Sequence, residues 1–329
     1  MRRREFITLF GGVAVSWPLA ARAQQKSRVP TIGILWHAGN VEEEAIFLTQ
    51  IQEGLRALGY VEGRSITLVN TFADEQYERF NSNSVELVRR KVDVIVTVSL
   101  LAALAAQRAT KTIPTVFILV SDPVASNLVN SLARPGGNIT GLSNLSDDLL
   151  SKSTELFKEV VPSLSGVKLM INPTVDPGTT ERGIKQVQVV AEHLNIGFQL
   201  VEAGQPDQIE RVFPSYRDVT NGVMVYPDGM FFRERKRIAK LALERKIPTS
   251  VFDPTMVADG GLMTYAPNVK GIFRRSATYI DKILKGAQAN ELPVEQPTQF
   301  DFVINLKTAK ALGIEIPNSA QLLADEVIE

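Results

Sequence analysis

Serine and aspartate residues follow several short apolar runs of this chain, at positions where a small molecule could be bound. Ser99 comes after VDVIVTV and before an alanine-rich stretch, which predicts a helix N-cap whose free backbone N–H groups could also hold a carboxylate. Asp122 and Asp253 each precede a proline, which is typical of a capped helix start, although either could receive an ammonium group. For Ser99 the two roles stay equally open, whereas capping is favoured for each aspartate alone.

Aromatic side chains occupy comparable positions and could form the walls of a binding site. Trp36 ends the run TIGILW, while Tyr226, Phe252 and Tyr265 stand at other strand ends or crossings. Core packing is the alternative, and we expect it for Phe252 more than for Trp36. Asp228, in YPDG, is by default a turn residue. The predicted ligand-contacting residues are Trp36, His37, Ser99, Ser121, Asp122, Ser143, Asn172, Tyr226, Asp228, Phe252, Asp253 and Tyr265.

Residues suited to bond chemistry are scarce. The chain has no cysteine and only two histidines, His37 and His193, so its sequence excludes disulfides and thiol catalysis. It also lacks a nucleophile elbow, a phosphate-binding loop with lysine and a dinucleotide fingerprint. We therefore expect no catalytic residues, no cofactor and no metal. An exported α/β enzyme is the alternative, and it would need His37 as a base beside a serine or an aspartate.

The glycine-rich stretch RPGGNITGLSN, at residues 134–144, could be a phosphate loop or a joint between domains. It contains no lysine and does not connect a first strand to its helix. A similar stretch, ADGGLMTYAP, occurs at residues 258–267, and both precede a predicted change of domain. We interpret these stretches as turns into crossing strands, and the residues predicted to act as a hinge are Gly141, Ser143, Tyr265 and Pro297.

Short apolar runs alternate with longer amphipathic ones, from TIGILW followed by EEAIFLTQIQEGLRALG as far as IPTVFILVS. Such a βαβ series of near-continuous apolar strands predicts a parallel sheet covered by helices on both faces. The pattern restarts at SGVKLMIN, and IPTVF at 113–117 is echoed by IPTSVF at 247–252. The predicted fold class is therefore α/β, with two similar doubly wound parallel-sheet lobes.

The first 23 residues have the features of an export signal. Three arginines precede an apolar run, and ARA provides a small-residue cleavage site after Ala23. Arg3-Arg4-Glu5-Phe6-Ile7 also fits a twin-arginine signal, but the general secretory route stays open. Formal net charge is zero, so no nucleic-acid partner is expected. These features predict a soluble periplasmic protein.

Several long blocks resemble one known family. They include EGLRALGYVEGRSI, LVRRKVDVIVT, SLARPGGNITGLSNL, RRSATYIDKILKGA and LPVEQPTQFDFVINLKTAKALGI. The resemblance is to the periplasmic solute-binding proteins of bacterial ABC importers with the type I fold, in the subgroup that includes binders of tryptophan and other aromatic amino acids. WHAG at residues 36–39 departs from the family, whose members often have a serine-containing loop there.

The resemblance implies two lobes joined by crossover strands, with a small organic ligand between them. Lobe one would comprise residues 29–142 and about 266–295, and lobe two residues 143–265 and about 296–329. It further implies closure by hinge bending and delivery of the ligand to an ABC permease in the inner membrane. We expect an amino-acid-like ligand, with an aromatic one as a candidate, and a monomer. A receptor subunit that senses its ligand with the same fold is a further alternative.

Overall fold

The computed structural model describes residues 28–173, 177–213 and 220–329. The predicted export signal at residues 1–23 lies outside the described residues. Within them, the apolar runs form two sheets, one of five strands and one of seven, and helices pack on both. This arrangement confirms the predicted α/β class with two parallel-sheet lobes.

Lobe one is the five-stranded sheet with its helices. Its strands are β1 (Thr31–Trp36), β2 (Thr67–Phe72), β3 (Val94–Val98), β4 (Thr115–Val120) and β5 (Ile139–Ser143), and its first helices are α1 (Val41–Ala57), α2 (Tyr77–Arg89) and α3 (Leu100–Ala109). The strand order is β2-β1-β3-β4-β5, with every pair parallel. Because helices cover both faces, the central strands are apolar throughout their length.

Lobe two is the seven-stranded sheet with its helices. Its strands are β6 (Gly166–Ile171), β7 (Gly197–Glu202), β8 (Asn221–Val225), β9 (Thr249–Val251), β10 (Met263–Pro267), β11 (Phe300–Asn305) and β12 (Glu326–Ile328). Its helices are α4 (Ser146–Val160), α5 (Pro177–His193), α6 (Ile209–Val212), α7 (Gly229–Arg233), α8 (Arg235–Arg245), α9 (Pro254–Ala258), α11 (Leu306–Leu312) and α12 (Asn318–Leu323). The order is β12-β11-β10-β9-β8-β6-β7, and only the β10–β11 pair is antiparallel among the pairs of described strands.

Helix α10 (Val269–Leu284) follows a strand of lobe two but belongs to the core of lobe one. It lies along α1, and its apolar face is buried. The ring of Phe273 stacks on Trp36 at 5.9 Å and on Phe47 at 4.7 Å between centroids. Lobe one is therefore completed by a helix that lies far from its sheet in sequence.

The chain passes between the lobes three times: after β5, after β10 and before β11. The first and third crossings touch, because Ser143 N donates to Glu295 O at 2.9 Å and Glu295 N to Gly141 O at 3.0 Å. Among the predicted hinge residues, Ser143 and Pro297 lie at these crossings. Gly141 instead lies inside β5, and Tyr265 lies inside β10 opposite Phe302, so neither is at a crossing.

Two local predictions are wrong. The stretch after Asp122 was expected to be helix-like, but residues 122–138 form turns, in which Asp122 Oδ1 accepts from Val124 N at 3.1 Å and Ala125 N at 2.9 Å. Gly141 was expected to permit a turn, yet its role is close packing. A Cβ there would lie 2.6 Å from the Phe117 ring, so β4 and β5 could not keep their spacing.

Candidate ligand-binding cavity

A cavity of about 190 Å³ lies between the lobes, where the carboxyl ends of strands from both sheets meet. This is the usual position of a ligand in open parallel sheets. Its apolar wall residues are Phe47, Val98, Leu100, Leu101, Leu119, Pro227, Phe232, Phe252, Pro267 and Val269. Its polar wall residues are His37, Glu75, Ser99, Ser121, Asn144, Thr180, Tyr226, Asp228 and Asp253. Among the described lining residues there is no lysine or arginine.

His37, just after β1, lies among three carboxylates, of which Glu44 is buried and Glu75 and Asp228 are half-buried. We call His37, Glu44, Glu75 and Asp228 the acidic cluster. His37 Nε2 lies 3.1 Å from Glu44 Oε1 and its Nδ1 lies 2.7 Å from Glu75 Oε1. Burial by itself lowers the pKa of His37, but the carboxylates of Glu44 and Glu75 outweigh it and raise that pKa to about 10. The imidazole is therefore a cation at neutral pH, with both nitrogens engaged.

Asp228 brings a lobe-two carboxylate to the same cluster. Burial, and then the carboxylate of Glu75, raise the pKa of Asp228 to about 6. Three effects oppose this rise in pKa: the hydrogen bond that Asp228 accepts from Phe231 N at 3.2 Å, as the N-cap of α7, the one from Asn172 Nδ2 at 3.2 Å, and the charge of His37. Glu44 is only 2% exposed, and burial raises its pKa as well.

The backbone of Gly229 fills the space beside His37 and Glu75. A Cβ at Gly229 would lie 2.5 Å from His37 Nδ1 and would overlap Glu75 Oε1. This glycine therefore allows lobe two to approach lobe one closely. Further out, Arg233 Nη1 pairs with Asp74 Oδ1 at 3.1 Å. On another side of the cleft, Arg182 Nη1 pairs with Asp122 Oδ2 at 2.9 Å.

Ser99 caps α3, at the boundary between that helix and the cavity. Its Oγ accepts from Ala102 N at a long 3.5 Å, and its φ is +93°. Such a backbone conformation is costly for a residue with a side chain and is common at functional sites. Leu100 and Leu101, in the first turn of α3, also line the cavity. The helix N-terminus therefore faces the cavity with its partial positive charge.

Asn144 and Asp253 complete the polar lining. Asn144 Oδ1 is buried and has no hydrogen-bond partner among the described residues, which is unusual for a buried acceptor. Asp253 caps α9, with Oδ1 accepting from Thr255 N at 2.7 Å. Burial raises the pKa of Asp253, while the nearby charges of Lys270 and Arg235 oppose that rise.

A family model described as ABC transporter substrate binding protein matches residues 40–328. This chain belongs to that family. A curated relative, the tyrosine-binding protein of Clostridioides difficile, is 26% identical to this substrate-binding protein over 268 residues, covering 80% of this chain and 75% of the relative. Proteins of the family act outside the cytoplasmic membrane, where they bind solutes for transport.

Solved structures have the same fold. A conserved domain protein from Vibrio cholerae has a TM-score of 0.83 at 24% identity, covering 91% of this chain and 100% of its own. An ABC domain in complex with L-Trp from Streptococcus pneumoniae has a TM-score of 0.82 at 23% identity, covering 92% and 100%. The ligand-free, open structure of an adhesive substrate-binding protein from Clostridium difficile has a TM-score of 0.67 at 25% identity, covering 92% and 99%.

Some of the predicted site residues come together at the cavity of this substrate-binding protein. They are His37, Ser99, Ser121, Tyr226, Asp228, Phe252 and Asp253. All of them follow the end of a strand, so the rule that ligands bind at carboxyl ends located them. Ser99 and Asp253 both cap helices and line the cavity, so capping and a place at the site are compatible.

The other predicted residues do not line the cavity. Trp36 is fully buried, stacked on Phe273, and its Nε1 donates to Asn70 Oδ1 at 2.9 Å. Tyr265 stacks on Phe300 at 5.9 Å between centroids. The remaining three have structural partners: Ser143 Oγ donates to Ser121 O at 2.9 Å, Asn172 supports Asp228, and Asp122 pairs with Arg182.

Sequence reasoning missed several lining residues of the binding protein, among them Phe47, Glu75, Asn144 and Phe232. Glu75 comes three residues after β2 ends, and Asn144 directly follows β5, so the strand-end rule could have found both. Phe47 and Phe232 lie within α1 and α7, where the helical spacing of apolar residues does not distinguish a cavity wall from the core.

None of the helices in the described part of the chain is long and apolar enough to cross a bilayer. No group of three or more histidine, aspartate or glutamate side chains among the described residues is arranged to hold a metal ion.

Proposed function

We propose that this chain is the exported binding component of an ABC importer and that its ligand is an amino acid with a large apolar, preferably aromatic, side chain. The observation that carries the proposal is the cavity between the lobes, whose walls are mostly apolar and include the rings of Phe47, Phe232 and Phe252. Aromatic and aliphatic walls with a few placed polar groups are typical of pockets for such ligands. The relative named as a tyrosine-binding protein supports this choice.

The N-terminus of α3 is the proposed seat of the ligand carboxylate. Its backbone N–H groups and partial positive charge favour an anion, and the strained backbone of Ser99 shapes the turn that presents them. Among the described lining residues the only other positive group is His37, whose two ring nitrogens are already engaged by Glu44 and Glu75. The carboxylate therefore has one favourable location.

Closure of the two lobes around the ligand is the proposed conformational change, and a permease in the inner membrane is the proposed receiver. The inter-lobe contacts of Gly229, Arg233 and Arg182 support a closed arrangement in this structure. The three crossings support bending about a hinge. The basic, apolar and small-residue pattern of residues 1–23 supports export to the periplasm.

The alternative of an exported enzyme is not favoured by the contacts of His37. A general base must be neutral and must reach the proton that it removes. Both nitrogens of His37 pair with carboxylates, and its pKa is raised to about 10. We therefore propose no bond chemistry.

Calorimetry on the chain from Gln24 onward tests the proposal, with L-tyrosine, L-tryptophan, L-phenylalanine, L-alanine and D-ribose as ligands. We expect saturable binding of the aromatic amino acids and none of D-ribose. A saturating ligand at about 100 times its Kd should stabilise the fold by about 2.7 kcal/mol, which a thermal-shift measurement detects. Tight binding of D-ribose without binding of any amino acid would contradict the proposal.

A further inference from the structure

We infer that a protonated amino group of the ligand binds between Glu75 of lobe one and Asp228 of lobe two, so that Asp228 is a specificity-determining residue. This inference rests on the proposed function, because it assigns one chemical group of the ligand to one end of the same cavity. Both carboxylates line that cavity.

The acidic cluster has fewer cations than carboxylates. It contains three carboxylates, those of Glu44, Glu75 and Asp228, and one imidazolium. The two ring N–H groups of His37 are directed at Glu44 and Glu75, so neither is left for Asp228. The hydrogen bonds that Asp228 accepts come from the neutral groups Phe231 N and Asn172 Nδ2, which do not balance its charge. A cationic ligand group at this end would supply the counter-charge and would be stabilised.

Two buried acceptors in or beside the cavity also lack a hydrogen-bond donor. Asn144 Oδ1, in the cavity wall, and Glu44 Oε2, in the cluster, are buried without a hydrogen-bond partner among the described residues. The described lining residues include neither lysine nor arginine. A ligand that brings N–H donors therefore matches the cavity, and a primary ammonium group supplies three of them.

Asp253 is the competing location for an amino group, and its surroundings make it the weaker one. Lys270 and Arg235 lie close enough to Asp253 to stabilise its charge, so part of its attraction for a cation is already used. The cation His37 also lies near Asp228, but the hydrogen bonds that Asp228 accepts come from neutral groups, and a second carboxylate, Glu75, lies nearby. A cation between two carboxylates is attracted by both of them, whereas a cation at Asp253 would also be repelled by Lys270 and Arg235.

The position of the two carboxylates also links recognition to closure. Glu75 follows β2 in lobe one, whereas Asp228 caps α7 in lobe two. Closure brings them together and makes them repel, and an ammonium group between them offsets that repulsion. A ligand without an amino group would leave the repulsion in place.

Calorimetry at pH 7.5 with three related compounds tests the inference: L-tyrosine, tyramine, which lacks the carboxylate, and 3-(4-hydroxyphenyl)propionate, which lacks the amine. For the wild type we expect both amines to bind more tightly than the propionate. Asp228→Asn should weaken both amines by about tenfold to 100-fold, as expected for loss of a charge-assisted hydrogen bond. It should leave propionate binding unchanged or tighter, because the repulsion is gone.

Two further variants identify the source of the effect. Asp207→Asn makes the same chemical change in a turn that does not line the cavity, and it should leave all three affinities unchanged. Asp253→Asn tests the competing location. Asparagine preserves helix capping in both cap positions, and unfolding in urea checks that each variant folds.

Amine binding that is unaffected by Asp228→Asn but is lost in Asp253→Asn would overturn the inference. Wild-type binding of the propionate as tight as that of L-tyrosine would also overturn it. If no aromatic compound binds to the wild type, the proposed function fails. The same calorimetry with L-leucine, putrescine and agmatine then tests the inference separately. Binding of one of these amines that Asp228→Asn weakens would support it, and binding of none of them would overturn it.

Discussion

The two lobes meet in a buried contact and in an exposed one, and the two differ in kind. In the buried contact, the Asp228–Gly229 turn lies against His37 and Glu75, and polar groups are enclosed at close quarters. In the exposed contact, Arg182 pairs with Asp122 at 2.9 Å, with side chains 46% and 22% exposed. Water and salt screen this pair more than the His37–Glu44 pair of the buried contact, whose side chains are 14% and 3% exposed. We therefore expect the buried contact to contribute more to stability than the exposed one.

The largest effect should come from removing the cation of the buried contact. His37→Ala leaves the almost fully buried Glu44 without its partner, and breaking such a pair typically costs about 3 to 5 kcal/mol of unfolding free energy. Urea unfolding at pH 7 measures this loss. His193→Ala is the matched control, because His193 is exposed at the end of α5, and it should change stability by less than about 0.5 kcal/mol.

Adding Glu44→Gln to His37→Ala should restore part of the lost stability, because it removes the unpaired charge. If His37→Ala is as mild as His193→Ala, the buried contact does not have the role assigned to it.

The pH dependence of stability should also come from the buried contact. A carboxyl with a raised pKa is favoured in its protonated form by the folded state, so its contribution becomes unfavourable as pH rises. With the pKa of Asp228 raised from 3.8 to about 6, this loss develops between about pH 4 and 6 and amounts to about 2 to 3 kcal/mol. Unfolding of the wild type and Asp228→Asn across this range isolates the effect.

The variant should gain stability relative to the wild type as pH rises through this window. A constant difference between the two proteins would mean that Asp228 is not as enclosed as the structure has it. His37 acts in the same direction at higher pH: its favourable contribution is complete below about pH 6.5 and is lost as pH rises through about 10.

A smaller effect is expected from the shape of the buried contact. In Gly229→Ala, the new Cβ would meet His37 Nδ1 and Glu75 Oε1, and the flexible Glu75 side chain would have to move away from His37. We expect ligand affinity to fall about tenfold, since strain in a closed state of this kind costs about 1 to 2 kcal/mol. Gly137→Ala is the control, because a Cβ there would meet nothing within 4 Å. Equal affinities of the two variants would show that the lobes tolerate a wider separation.

The smallest effect should come from the exposed contact. Arg182→Ala should change stability and affinity by less than about 1 kcal/mol, and the change should shrink between about 0.05 and 0.5 M salt. Calorimetry and urea unfolding at the two salt concentrations measure it. A loss as large as that of His37→Ala, insensitive to salt, would reverse the comparison between the two contacts.

The sequence predicted the fold well because apolar periodicity determines strands, helices and the sheet class. The prediction of site residues failed where a shift of one residue along a strand decides whether a side chain faces the cavity or the core. Trp36 was expected in the cavity, whereas the structure has Trp36 beneath α10. Phe252, for which core packing was considered the stronger alternative of the two, does lie in the cavity wall. Side chains alternate between faces of a strand, so the residue next to Trp36, His37, lines the cavity instead.

The remaining misses depend on how the lobes face each other. Phe47 and Phe232 lie in helices of different lobes, and their rings are 5.7 Å apart. Nothing in the local pattern around either residue encodes this proximity. Asn144 was missed for a different reason. It stands out because its buried Oδ1 has no hydrogen-bond partner among the described residues, and the absence of a hydrogen bond cannot be inferred from a sequence.

Helix α10 has a consequence for the order in which the protein can fold. The sheet of lobe one is complete in sequence at Ser143, but the helix that covers Trp36 ends at Leu284. During synthesis, which proceeds from the N-terminus, this apolar face of the first sheet is therefore covered only in part, by α1, until most of the chain has been made. A fragment cut after residue 143 would expose that face permanently and should aggregate, so the first lobe cannot be produced as one uninterrupted piece of the gene.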